Sequence, residues 1–499
     1  MHCNWLTRLN RTYHAFKGIP FAKPPLGKLR FESPQPPANW PGILNATQFN
    51  TGCAQQGYGT EDCLYLNVFS PKVGEGFSQT PIPVMVYIHG GFFQYGTAMR
   101  YNPDYILDED VVLVTVNFRL HSLGFLNTAD GTVKGNMGLK DMAMALQWVQ
   151  TNIGKFGGDP KRVTIFGLSA GGAAVHYLLL SNSTKGLFSK AISQSGVATK
   201  LWSFQPEPVE SANLLAQRLN CPTNPISAMV ACMKEVDVDL IIKYSSMSGG
   251  VIKNDLEVFC PSVEVSSDDS FLTKHPYDVI VDGEAQRVPW ISGSASGEGL
   301  LYINPILENP TLVKQMNENW TEAAPTYLYY NKSQNDITAR ITDFYFGDKE
   351  INFQKLIVNF TKLWSDRLYI SFTRNTAMMQ AKFSPVYTYF FDYKKDESNF
   401  AANHGEELFL LFPLNPTVGL NSKHYKISKD LVKLWVQFAA DEPVLNFQDH
   451  LWEPIDVSGK APIKYLYLSN GLNAFIEDPI KERMGFWDAL NLYKIEPRD

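Results

Sequence analysis

The segment V-T-I-F-G-L-S-A-G-G at 163–172 constrains the fold of this chain more than any other. Four apolar or β-branched residues read as a short buried strand, and a helical pattern starts within a few residues of its end. A chain that turns from strand to helix that tightly forces the residue at the corner into a strained backbone conformation. Only small neighbours then avoid a clash, which is what G-x-S-x-G at Gly167, Leu168, Ser169, Ala170 and Gly171 supplies. The hydroxyl of Ser169 would stand above the edge of a sheet, beside the positive end of the following helix. The bare pentapeptide is common by chance. The strand before it and the helix after it make Ser169 a candidate nucleophile.

The rest of the chain repeats that alternation. Apolar runs at 84–88 (VMVYI), 111–118 (VVLVTVNF), 191–195 (AISQS), 288–292 (VPWIS) and 386–393 (VYTYFFDY) read as strands. Stretches with helical spacing occur at 141–153 and 428–440, and helical insertions are expected over 205–285 and 310–380. Strands separated by helices predict right-handed crossovers and an α/β fold with a large, mostly parallel, twisted sheet. At 499 residues and 44% apolar content the core can be large. Neither a repeat nor a low-complexity linker divides the chain, so one domain over 1–499 is the simplest account.

A serine nucleophile needs a base, and the base needs an orienting carboxylate. In a strand–serine–helix arrangement the chain order is serine, acid, histidine. Of the histidines after Ser169, His176 lies on the same helix and His275 precedes a proline. His424 and His450 occupy polar stretches. His404 sits in the loop A-A-N-H-G after the last clear strand and is the candidate base. Glu298, in the small-residue loop G-S-A-S-G-E-G after 288–292, is a candidate acid, although this pattern suits a solvated loop residue equally well. Asp282 and Glu284 precede that strand and are poorer choices. Upstream, strand 84–88 ends in H-G-G-F-F. There the N–H groups of Gly91 and Phe92, together with Ala170, could meet a developing oxyanion, each such donor being worth about 3 kcal/mol.

A net charge of −6, without a dense basic run, argues against a nucleic-acid or membrane surface. No apolar run reaches the roughly 18 residues of a membrane span. The first residues lack a signal-peptide core, which read literally favours the cytosol. Six N-x-S/T sequons, at Asn10, Asn45, Asn182, Asn319, Asn331 and Asn359, point instead to secretion. So do two close cysteine pairs, Cys53 with Cys63 and Cys221 with Cys232, that could close local loops. Cys3 and Cys260 are left over.

Beyond these motifs the chain resembles the type-B carboxylesterase/cholinesterase family along nearly its whole length. The resemblance rests on A-F-K-G-I-P-F-A-K-P-P-L-G-K-L-R-F at 15–31, E-D-C-L-Y-L-N-V at 61–68 and H-G-G-F-F at 89–93. It continues in G-N-M-G-L-K-D at 135–141, F-G-G-D-P-K-R-V-T-I-F-G-L-S-A-G-G at 156–172 and the late M-G-F-W-D. G-L-S-A-G-G-A-A-V-H-Y and H-G-E-E-L look most like insect esterases. The resemblance implies an α/β-hydrolase fold and a cofactor- and metal-free serine esterase acting on small ester substrates. It also implies a Ser169–Glu298–His404 triad, Ser195 as a hydroxyl near the acid, an Arg30–Glu61 ion pair, and disulfides Cys53–Cys63 and Cys221–Cys232. Several positions depart from the family. Leu168 replaces the usual Glu, Phe92 stands where Gly or Ala is common, and the Cys53–Cys63 loop holds Tyr58 but no Trp, which argues against choline esters. Members usually begin earlier, with a signal peptide and a first hairpin, so a truncated start and secretion are expected. A hormone- or pheromone-specific esterase and a non-catalytic ligand-sequestering or adhesion relative are the alternatives.

Overall fold

Short runs rich in β-branched and aromatic residues can bury both faces only where every backbone group is paired and helices cover each side. That is how the computed structural model arranges them; it describes residues 4–71, 80–246, 259–331, 335–415, 417–440, 445–458 and 461–493. In chain order the strands are β1 (Asn4–Leu6), β2 (Thr12–Pro20), β3 (Tyr65–Ser70), β4 (Ile82–Ile88), β5 (Val112–Val116) and β6 (Gly158–Leu168). They continue with β7 (Lys190–Gln194), β8 (Trp290–Ala295), β9 (Val386–Asp392), β10 (Asn446–Phe447), β11 (His450–Leu451), β12 (Lys464–Ser469) and β13 (Asn473–Glu477). Eleven of them form one sheet in the order β1-β2-β3-β5-β4-β6-β7-β8-β9-β12-β13, while β10 and β11 make a separate ribbon. From β5 through β12 every pairing is parallel, and the two ends are closed by antiparallel strands.

Strand alternation divides the core into two layers. Val84, Val86, Ile88, Val163 and Ile165 belong to one apolar cluster, whereas Met85, Tyr87, Phe166 and Leu168 belong to the other. Helices Met137–Asn152 and Ala170–Leu180 cover the first face, and Tyr425–Ala439 covers the second. All eleven residues of Ala170–Leu180 are buried. Each fully buried Val, Leu or Ile contributes about 1.5–3 kcal/mol.

The expected elements are present, with shifted ends. The helix expected from 141 starts at Met137 because Asn136, in the left-handed region (φ 55°), ties the turn to the Ser262 carbonyl at 2.8 Å and Glu264 at 2.6 Å. β5 stops at Val116, since the Asn117 side chain leaves the ladder to bond Ala98 N–H and the carbonyls of Thr51 and Cys63. The helical insertions contain Pro208–Arg218, Ile226–Glu235, Val238–Ser245 and Pro276–Val281, and later a run of helices from Leu300 onward.

Both disulfides form, Cys53–Cys63 and Cys221–Cys232. Cys260 is buried outside both, and Cys3 lies outside the described residues. The Arg30–Glu61 pair is present and bidentate, at 2.7 and 2.6 Å. The same guanidinium donates to the carbonyls of Met233, Lys234 and Val236, so it bolts the first disulfide loop to the end of helix Ile226–Glu235. Among the described residues no helix is long and apolar enough to cross a membrane. Of the sequon asparagines, Asn10, Asn45, Asn182 and Asn319 are exposed. Asn359 is instead half-buried within helix Ile357–Ser365 and donates to the Tyr345 carbonyl at 2.7 Å. Asn331 is half-buried, and its Ser333 lies outside the described residues.

Candidate active site

Parallel strands deliver their outgoing loops to one edge of the sheet, and in open α/β sheets this carboxyl edge is where ligands bind. β4, β6, β7, β8 and β9 are consecutive neighbours, so the segments that follow them meet. Ser169 follows β6, Ser195 follows β7, Glu298 follows β8 and His404 follows β9.

Ser169 sits at φ 60°, ψ −123°, the strained corner expected of it, at the head of helix Ala170–Leu180. Its N–H donates to the Gln194 carbonyl at 2.8 Å, and its own carbonyl accepts from Ala173. Two glycines make the corner sterically possible. A Cβ on Gly171 would fall 2.1 Å from the Ile88 carbonyl oxygen, and one on Gly196 would fall 1.9 Å from that of Ser169. The helix therefore lies directly against the strand ends, and its first N–H groups, with no intrahelical acceptor, cap the site.

Glu298 is fully buried. One carboxylate oxygen accepts from the Ala295 N–H at 2.8 Å and the other from His404 Nδ1. A parallel bridge between Gly297 and Asn403, with Gly297 N–H to the Ala402 carbonyl at 2.8 Å, stitches the acid and base loops together. Residues adjoining the serine and histidine also touch: Gly405 packs so closely on Leu168 that a Cβ there would lie 2.5 Å from its Cδ2. Burial alone would push the Glu298 carboxyl up. The His404 ring and its hydrogen bond, the Lys200 ammonium and the Ser195 hydroxyl more than offset that and hold it below the usual range.

The strip after β4 turns through three successive positive φ angles, at Gly91 (118°), Phe92 (53°) and Phe93 (59°). Gly91 cannot carry a side chain, because a Cβ would lie 1.9 Å from the Tyr95 carbonyl oxygen. Phe92 is nearly buried, its ring edge-on to Trp202 at 5.6 Å between centroids. His89 stacks on Phe118 at 4.4 Å, and burial pulls its imidazole down to about 4, so it is neutral and structural. Tyr58 of the first disulfide loop bonds the Gly52 N–H and Met99 sulfur within its own neighbourhood.

Sequence reasoning missed three residues here. Lys200 is completely buried, and the Tyr369 ring lies tilted against His404 with centroids 5.0 Å apart. Glu407 is buried, is met by the Tyr389 hydroxyl at 3.1 Å, and is pushed up to about 8 by burial and by Glu298. Lys200 had a signal: it is the one charged residue between Lys190 and Glu207. Tyr369 had none, since its place comes from a π-helical turn, Asp366–Ile370, in a distant insertion.

Comparison with known proteins identifies the family and the fold. The family model described as the carboxylesterase family matches residues 5–487. The chain belongs to the carboxylesterase family. It is 35% identical to a carboxylic ester hydrolase of Bombus ignitus, over 97% of this chain and 91% of that one. With juvenile hormone esterase of Tribolium castaneum it shares 36% identity over 98% and 92% of the two chains. The crystal structure of juvenile hormone esterase from Manduca sexta, with OTFP covalently attached, superposes with a TM-score of 0.84. That match has 25% identity and covers 98% of this chain and 97% of that one. The fold is thus that of an α/β-hydrolase, and the activity of this carboxylesterase is hydrolysis of carboxylic esters.

Proposed function

We propose that Ser169, His404 and Glu298 carry out this hydrolysis; the observation that supports it best is the buried Glu298 carboxylate seated on His404 Nδ1 in a loop packed against the serine corner. With Nδ1–H committed to Glu298, the other imidazole nitrogen is left as the base. Ser169 Oγ attacks the ester carbonyl as His404 takes its proton, and the N–H groups of Gly91, Phe92 and Ala170 receive the oxyanion. Collapse of the tetrahedral intermediate breaks the C–O bond, and the imidazolium gives its proton to the departing alcohol. Water then repeats the sequence on the acyl-enzyme and frees the acid. Leu168 and the rings of Phe92, Trp202 and Tyr369 around these residues favour apolar esters without a quaternary ammonium.

A hormone-specific esterase is the second reading, favoured by the juvenile hormone esterases among the relatives. Secretion is supported by the two disulfides and by 32% identity to a venom carboxylesterase of Apis mellifera. Glycans would occupy the exposed Asn10, Asn45, Asn182 and Asn319. The test of function is hydrolysis of a short-chain p-nitrophenyl ester together with fluorophosphonate labelling, in wild type and Ser169→Ala. Both signals are expected in the wild type and neither in the variant. A folded wild type lacking both would overturn the proposal and promote a binding-only protein.

A further inference from the structure

A lysine whose ammonium is removed from water must either carry a strong local reason to be charged or lose its proton. Lys200 is fully buried five residues after Ser195, between β7 and helix Pro208–Arg218. Its Nζ donates to the Ser195 carbonyl at 2.9 Å and lies over the face of Tyr369, 4.1 Å from the ring centroid. Each contact leads to a different member of the triad. Ser195, at φ 53°, donates its N–H to the Gly293 carbonyl at 2.9 Å, in the strand that delivers Glu298. Tyr369 carries the His404 ring.

We propose that Lys200 is a positioning residue of this esterase: its buried ammonium holds the Ser195 turn beside Glu298 and the Tyr369 ring beside His404, and its charge biases His404 toward the neutral base. This rests on the Ser169–His404–Glu298 reading above. The distances from Nζ to the Tyr369 centroid and from that centroid to the imidazole place the cation no more than about 9 Å from His404. A unit charge at that range, at an effective dielectric of ~20, moves a titration by roughly one pH unit.

The other groups of the network are Glu298 from the loop after β8, His404 and Glu407 from the segment after β9, Tyr369 from the π-helical turn, and Tyr302 and Tyr95 behind it. Burial pulls the Lys200 ammonium down to about 7 against the opposing pull of Glu298. It is therefore charged below about pH 7, on the acid side of the pH–rate profile. Removing the cation should let the imidazolium persist to higher pH.

The test compares Lys200→Met, which removes donor and charge, with Lys200→Gln, which keeps a donor without the charge. Each is assayed for kcat/KM against pH on a p-nitrophenyl ester and for thermal midpoint. The acid limb is expected to move up by about one pH unit in both variants. In Lys200→Met kcat should also fall about tenfold or more, with KM changed less than about threefold. Lys200→Gln serves alone if the methionine variant does not fold. A folded variant whose profile superposes on that of the wild type overturns the proposal, and so does a lowered midpoint with an unmoved limb, which is the mark of a merely structural lysine. Fluorophosphonate labelling of the wild type separates the two levels: if it fails or persists in Ser169→Ala, the catalytic reading is wrong. If it behaves as expected while the limb stays, only the role of Lys200 falls.

Discussion

Glu298→Gln probes the site with the least disturbance to the fold. The side chain is fully buried, and its two oxygens have different jobs: one accepts from Ala295 N–H at 2.8 Å, the other from His404 Nδ1. The Ala295 N–H can only donate, so it keeps the amide oxygen of a glutamine on its own side. The amide NH2 then faces His404 Nδ1 and forces that nitrogen to accept. The imidazole proton moves to Nε2, which can no longer take the proton of Ser169. The imidazolium formed in the transition state also loses its counter-charge. Two unit charges about 4 Å apart at an effective dielectric of ~20 attract by about 4 kcal/mol, roughly a thousandfold in rate. With the tautomer error added, the loss in kcat/KM should lie between about 10³ and 10⁴. The assay is steady-state hydrolysis of p-nitrophenyl butyrate with thermal unfolding in parallel, where the midpoint should move little because volume and the Ala295 bond survive. A folded variant that keeps more than a tenth of wild-type kcat/KM refutes the role of Glu298.

Glu407→Gln should change stability rather than chemistry. Burial raises the Glu407 carboxyl from 4.5 to about 8, so the folded state keeps its proton longer than the unfolded one. Its contribution is complete below about pH 4.5 and is lost as pH climbs to about 8, on the order of 4 kcal/mol. Lys200, pulled down to about 7, acts with the opposite sign above that pH, but it is common to both proteins and cancels in the difference. Denaturant midpoints should therefore fall less steeply between pH 5 and 8 in the variant, and parallel curves would refute the buried-acid assignment. Arg30→Met strands Glu61 and three carbonyls and should cost about 3–5 kcal/mol in urea unfolding, with kcat/KM of the folded enzyme unchanged; a loss below about 1 kcal/mol contradicts the bolt. Phe92→Ala should raise kcat/KM for branched-acyl esters at least about tenfold relative to acetate, while losing about 3 kcal/mol of packing. An unchanged acyl preference would mean that the ring does not bound the pocket.

The parallel sheet and the serine corner were legible in the residues because both follow from local rules. Strand runs such as Val112–Val116 are buried on two faces and read as unbroken apolar stretches. Gly171 and Gly196 sit where no Cβ fits, which is a constraint written directly in residue type. His404 was legible through the order of chain elements, and Glu298 only through its resemblance to a family, since a glutamate in a small-residue loop reads equally as solvated. What the tertiary structure alone decided is which distant elements share the site. The Gly297–Asn403 bridge joins loops more than a hundred residues apart and turns Glu298 from a surface-like residue into a buried counter-ion. Tyr369 reaches His404 through a π-helical turn in an insertion whose local sequence shows only helical spacing. Glu407 carries no local mark of its shifted protonation and Lys200 only its isolation among uncharged neighbours, because desolvation belongs to the packed surroundings and not to the residue itself.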